Sequence, residues 1–325
     1  MSSLLITQPQ GLEHVTPVGH PERADRLRRL NKVFALPQFD DVARKEAACA
    51  GLEFALEAHP KEYVDRIKNL RPVEGMHPID GDTYISKESL SAVMTGMGAG
   101  LDALDEVLSG NHQNAFCAIR PPGHHAERLT PMGFCLFNTI AVVARVARQK
   151  GLERVAIVDF DVHHGNGTQD IFYTDPDVLY ASSHQMPLFP GTGALNETGA
   201  GNVFNAPLSA DTDGDEMKLA YKDVILPAIE NFNPDIILIS AGFDADSRDP
   251  LAGLNWGPDD FAWITGNLMD IAGKRCDNRI ISLLEGGYNL DGLGQGAAAH
   301  MSMLAHGTTG PKIDHINFER EERFG

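Results

Sequence analysis

The sequence predicts a single α/β domain in which helices cover both faces of a central parallel sheet. Three observations carry that expectation. Short apolar runs at residues 115–119, 155–160, 178–182, 235–241 and 280–284 have the length and β-branched content of strands buried on both faces. Longer stretches of helical periodicity stand between or beside them, at 90–108, 139–149, 216–232 and 258–272. Finally, each apolar run gives way to a polar or glycine-rich cluster.

Taken in order, the first run leads into Arg120-Pro121-Pro122-Gly123-His124-His125, where two prolines and a glycine impose a turn before paired imidazoles. The second leads into Asp161-Val162-His163-His164-Gly165 and the third into Ser183-His184. After the fourth come Gly242-Phe243-Asp244, and after the fifth Glu285-Gly286-Gly287-Tyr288. Ligands of open α/β sheets bind beyond the carboxyl ends of strands, so these five segments are expected to meet at one edge.

The chain has 325 residues, 42% of them hydrophobic, enough to bury a large core. No linker rich in Pro, Gly or Ser divides it, so residues 1–325 read as one domain, with the charged stretch 311–325 as a tail or interface arm. Lys plus Arg number 27 against 45 Asp plus Glu, a formal charge of −18. Such a surface repels phosphate backbones and anionic lipid, which argues against nucleic-acid and membrane partners. No run approaches the ~20 apolar residues of a membrane span. The first residues lack a signal peptide's charged start and apolar run. Cys49, Cys117, Cys135 and Cys276 are scattered, with no C-x-x-C pair, as expected of buried thiols in a reducing compartment. A cytoplasmic protein is expected.

Asp161 and His163 stand two apart at a strand end, where extended geometry turns both side chains to one side. Asp244, from another strand end, supplies a third ligand. One imidazole and two carboxylates leave a coordination position open, as a catalytic zinc requires. A D-x-H string alone is weak evidence, because most such strings are surface polar residues. Its surroundings strengthen it. Asp159 lies inside an apolar run and needs a partner, since an unpaired internal carboxylate is costly. His124 and His125, with carboxylates on neighbouring strand ends, have the makings of a general acid/base pair beside a metal. Glycines before Tyr288 leave its ring free to swing in.

These residues resemble the histone deacetylase superfamily, and most closely its class II branch and the bacterial histone-deacetylase-like amidohydrolases. The resemblance rests on His20-Pro21-Glu22-Arg23, Arg120-Pro121-Pro122-Gly123-His124-His125-Ala126-Glu127 and Gly133-Phe134-Cys135-Leu136-Phe137-Asn138. It continues through the segments 158–169, 189–193, 240–245, 249–253 and 284–290. It implies an arginase/deacetylase-like fold of about eight parallel strands and a zinc-dependent amidohydrolase acting on an acylated lysine side chain or small acylated amine.

Residue by residue, the resemblance makes Asp161, His163 and Asp244 the zinc ligands. His125 becomes the general base and then acid, and His124 its electrostatic partner. Asp159 pairs with His124, Asn166 with His125, and Tyr288 hydrogen-bonds the substrate carbonyl. Gly133, Phe134 and Phe189 would wall an acyl-lysine tunnel with Leu251 at its rim. Arg26 would line a path for acetate. Two structural potassium sites are implied as well, one at Asp159, Asp161, His163, Ser182 and Ser183, the other at Phe172, Asp175, Val178 and Asn202. Superfamily habit makes a homo-oligomer compatible with the chain. The competing readings are an acetylpolyamine amidohydrolase, which Leu251 in place of an acidic gatekeeper disfavours, and a silent acyl-lysine binding module. A binuclear ureohydrolase would need further ligands near Asp161 and Asp244.

Overall fold

The computed structural model describes residues 2–311 and 313. In chain order its main elements are β1 (Ser3–Thr7), α1 (Asp25–Phe34), β2 (Ala43–Glu46), α2 (Lys61–Leu70), β3 (Met76–Pro78), β4 (Tyr84–Ser86), α3 (Ser89–Leu108) and β5 (Asn114–Ala118). There follow α4 (Thr139–Gln149), β6 (Val155–Asp159), α5 (Asn166–Phe172), β7 (Val178–Gln185), β8 (Val203–Leu208), α6 (Gly214–Ala220), α7 (Leu226–Phe232), β9 (Ile236–Ala241), α8 (Pro258–Arg275), β10 (Ile280–Leu284) and α9 (Leu290–His306). Eight of the strands form one sheet in the order β2-β1-β5-β10-β9-β6-β7-β8, and every pairing in it is parallel. β3 and β4 make a separate antiparallel hairpin.

Every residue of β5, β6, β7, β9 and β10 is buried, which is why these strands read as continuous apolar runs instead of alternating ones. Both faces are covered. On β5, Cys117 Sγ meets the Ala99 carbonyl of α3, while the adjacent Phe116 ring packs edge-on against His300 of α9. Successive strand residues point to opposite faces, so α3 and α9 belong to different layers. α4 joins α3, and α1 and α8 join α9.

The departures from the sequence-based elements have local causes. The stretch 216–232 is not one helix. α6 and α7 are separated by a π turn at Tyr221–Ile225, because Pro227 lacks an N–H and its ring crowds the carbonyl four residues back. β7 extends through Ser183 and His184, which pair with Ala206 and Pro207 of β8; polar residues continue the strand because their side chains are bonded inside. Helix α9 carries three glycines, poor helix formers, and packing against α8 overrides that preference. The tail 311–325 lies almost wholly outside the described residues.

Candidate active site and metal centre

The site grows from the carboxyl ends of five adjacent strands, β5-β10-β9-β6-β7. Asp159 ends β6, with Ser182 of β7 and Ser240 of β9 as its register neighbours. Beyond it the chain turns through backbone N–H bonds to carboxylates. Asp161 N–H donates to Asp159 Oδ1 (3.1 Å), His163 N–H to Asp161 Oδ1 (2.9 Å) and Val162 N–H to Asp244 Oδ1 (3.0 Å). Asp161 and His163 therefore share a side because an Asx-type turn folds the segment, not because the strand continues in extended form.

Asp244 arrives from the loop after β9. One ligand atom from each of Asp161, His163 and Asp244 lies within 4.8 Å of the others, and all three residues are buried. His163 Nδ1 stands 3.2 Å from Asp161 Oδ1 and 3.1 Å from Asp244 Oδ2. Ligand atoms about 2.1 Å from a tetrahedral zinc are roughly 3.4 Å apart, so the donor set already has nearly metal spacing. Burial, with the like charge of Asp161, pushes the Asp244 carboxyl up to about 7. Burial disfavours a charged His163, but its bonds to both carboxylates outweigh this and hold its pKa at about 10. Two internal carboxylates thus hold a proton on the imidazole between them. A divalent cation satisfies the same charge, and the residues fit one.

The turn after β5 is fixed from two sides. Gly123 N–H and His124 N–H donate to Glu285 Oε2 (2.7 and 3.1 Å), and buried Arg120 makes two 2.7 Å bonds to Glu22. His124 Nδ1 lies 2.9 Å from Asp159 Oδ2, and His125 Nδ1 lies 2.8 Å from Asn166 Oδ1. The two rings nevertheless differ electrostatically. Burial opposes charge on His124, but Asp159, Asp161 and Glu285 outweigh it and raise its pKa well above the ordinary value. Burial, helped by the neighbouring imidazoles, pushes His125 well below it. Asn166 Nδ2 donates to Glu127 Oε1 (2.8 Å), so its oxygen faces His125. That assignment puts the His125 proton on Nδ1 and leaves Nε2 free to accept another.

The glycines before Tyr288 do different work. Gly287 has φ +116°, a conformation that favours glycine, as the sequence suggested. Gly286 instead allows close approach. Its N–H donates to Asp161 Oδ2 (2.7 Å), and a Cβ there would overlap Asp244 Oδ2. Arg26 Nε donates to Gly287 O (2.7 Å), with its guanidinium 4.9 Å from the centre of the Tyr288 ring. A cavity of about 560 Å³ is lined by Gly133, Phe134, Phe189 and Leu251 together with His125, His163 and Tyr288. Phe134 meets the edge of Tyr288 at 5.6 Å and Phe189 that of His125 at 5.1 Å.

The two expected potassium sites fare differently. Asp159 and Ser182 are paired in register, Ser183 is next on β7, and Asp161 and His163 follow Asp159. Burial pushes the Asp159 carboxyl up, and its bonds to His124 and to Asp161 N–H oppose that shift. In the second set the carbonyls of Phe172, Asp175 and Val178 do converge, but on the Asn202 amide nitrogen, at 2.9, 3.0 and 2.8 Å. Asn202 Oδ1 is turned away and accepts from Ala200 N–H (2.9 Å). A donor occupies the cage, so a potassium ion held by the carbonyls of Phe172, Asp175 and Val178 would have to displace the Asn202 amide nitrogen.

Comparison with known proteins now decides the family. Residues 20–304 match the family model described as histone deacetylase domain. The chain belongs to the histone deacetylase family. It is 36% identical to a histone deacetylase-like amidohydrolase of Pseudomonas aeruginosa, over 87% of this chain and 77% of that one. A probable deacetylase of Archaeoglobus fulgidus is also 36% identical, over 89% and 82%. Histone deacetylase 10, chloroplastic, of Oryza sativa subsp. japonica is 40% identical over 77% of this chain, which spans 60% of that relative. The crystal structure of the HDA15 HD domain superposes with a TM-score of 0.88 at 34% identity, covering 96% of this chain and 92% of that one. Histone deacetylase family membership places the chain among hydrolases of acyl amides.

Glu285, Asp249 and the Glu22–Arg120 pair carry no role legible in the sequence. Glu285 and Asp249 stand inside glycine- and proline-marked loops, where a carboxylate reads as solvated. What reveals them is burial together with backbone N–H donors from segments 39 to 162 residues away in sequence.

Proposed function

We propose that the chain is a zinc-dependent deacylase that hydrolyses the amide of acyl-lysine or a related acyl-amine, releasing amine and carboxylate. The observation that supports this best is one of convergence. His163, a neutral His125 and Tyr288 line one apolar-walled cavity, and Asp161 and Asp244 complete the metal-spaced group directly behind His163.

When bound at Asp161, His163 and Asp244, zinc supplies Lewis acidity toward the acyl oxygen and the attacking water. The chain's own groups do the rest. Phe134 and Phe189 hold the aliphatic stem and keep water from the walls. Neutral His125, oriented by Asn166, takes a proton on Nε2 from water as its oxygen bonds to the acyl carbon. His124, kept charged by Asp159, adds positive potential beside the developing oxyanion. The Tyr288 hydroxyl donates to that oxyanion, a contribution of about 3 kcal/mol for one preorganised donor. As the C–N bond breaks, His125 passes its proton to the leaving amine.

The partner is then an acylated side chain or small acylated amine. Among the described residues no helix is long and apolar enough to cross a membrane. Leu251 supports a neutral-stemmed substrate over a polyamine. Turnover of acetyl-lysine peptides, longer acyl-lysines and acetylspermidine tests the reading. Acyl-lysine peptides should be cleaved with the higher kcat/KM. Acetylspermidine cleaved far faster would overturn the substrate class, and zinc binding without any turnover would overturn the enzyme.

A further inference from the structure

A carboxylate outside the metal centre joins the cavity wall to the Tyr288 loop. Asp249 is buried, and it receives three backbone N–H groups from two loops. Its Oδ2 accepts from Tyr288 N–H (2.7 Å) and Asn289 N–H (3.0 Å), and its Oδ1 accepts from Leu251 N–H (3.1 Å). One side chain thus ties the loop after β9, which carries Leu251, to the loop after β10, which carries Tyr288.

These bonds do more than start a helix. The first turn of α9 is already capped by the Asn289 side chain, which accepts from Asp291 N–H (3.1 Å) and Gly292 N–H (2.9 Å). Backbone direction at residue 288 needs its own support, because the preceding Gly287 sits at φ +116° and Gly286 has no side chain. Among the described residues no hydrogen bond is made to the Tyr288 hydroxyl, so its aim depends on where the backbone leaves Cα and on the rings and guanidinium around it. A phenol oxygen lies roughly 6.5 Å from its Cα, so a rotation of about 10° there moves it about 1 Å. Misplacement on that scale costs on the order of 10²-fold in rate.

We infer that Asp249 is a positioning residue for Tyr288, holding the phenol on the reacting carbonyl and locking the Leu251 rim to it. The inference rests on the role of Tyr288 proposed above. A structural brace and a positioning residue part company in a double-mutant cycle with Tyr288→Phe.

Asp249→Ala should lower kcat by about 30- to 100-fold at unchanged zinc content, and by less than about threefold when Tyr288 is already Phe. Equal losses in both backgrounds, or loss of zinc, overturn the inference. Should the alanine chain fail to fold, Asp249→Asn enters the same cycle with the same two outcomes. Hydrogen exchange gives a readout free of turnover. The amides of Tyr288 and Asn289 should exchange faster in the variant, and unchanged protection contradicts the tie. A wild-type chain that cleaves no acyl-amine, yet shows that exchange difference, sinks the deacylase reading while leaving the Asp249–Tyr288 bond in place.

Discussion

Gly286 offers the most local test of how the metal carboxylates are packed. A Cβ added at this residue would overlap Asp244 Oδ2, lie 2.6 Å from Asp161 Oδ2 and 2.8 Å from Asp244 Cγ. Neither carboxylate is free to retreat. Asp161 Oδ1 accepts from His163 N–H at 2.9 Å and Asp244 Oδ1 from Val162 N–H at 3.0 Å. Relief therefore needs a shift of about 1 Å in one carboxylate or in the loop carrying Tyr288, and overpacking of this kind costs about 1–3 kcal/mol. The chemistry should suffer more than the fold. Gly286→Ala is expected to weaken zinc binding by about 10- to 100-fold and to lower kcat with zinc saturating by about 10²-fold. Gly257→Ala, where a Cβ meets nothing within 4 Å, serves as the control. Competition with a chromophoric chelator gives the zinc affinity, and a fluorogenic acetyl-lysine peptide gives the rate. Wild-type affinity and rate in Gly286→Ala would refute the packing argument.

Other consequences are checked more simply. Tyr288→Phe removes one oxyanion donor and should reduce kcat by about 10²–10³ with zinc retained, so a full rate would end its assigned role. His300, bonded to Thr265 Oγ1 and Ser282 Oγ among aromatic rings, has its pKa lowered by burial to about 3. Its folded value lies below the ordinary 6.5, so the folded chain takes up this proton less readily, and stability present above that pH is lost as pH falls toward 3. From pH 7 to 5 that loss is about 2 kcal/mol, and urea unfolding of His300→Asn should show a pH dependence smaller by that amount. An equal pH dependence would show that His300 is not held neutral. Because Asn202 fills the second carbonyl cage, thallium(I) titration should find at most one potassium-type site per chain, and two equivalents would contradict that geometry.

Much of this site was legible because its residues are marked by turn chemistry. Arg120-Pro121-Pro122-Gly123 before His124, and Gly286-Gly287 before Tyr288, announce loops at strand ends, and apolar runs of five to seven residues announce the strands. Pairings read from the resemblance, such as His124 with Asp159 and His125 with Asn166, are present as bonds. What escaped was set by contacts remote in sequence. β2 has four residues and alternates half-buried with exposed ones at the sheet edge, so it does not stand out as a buried run. The Ser183–His184 pair looked like loop until its hydrogen bonds to Tyr221 and Gly193 accounted for its polarity. Asn202 was expected beside a second potassium ion, and the bonds of its amide nitrogen to the carbonyls of Phe172, Asp175 and Val178, 24 to 30 residues away, were not legible.

Metal analysis of the purified chain beside Asp244→Ala tests the account at its centre. About one zinc per wild-type chain is expected, removable by chelation with loss of amidohydrolase activity and regained on adding zinc back, with little metal and no turnover in the variant. Full activity in the metal-stripped wild type, or a tightly held zinc in Asp244→Ala, would contradict it.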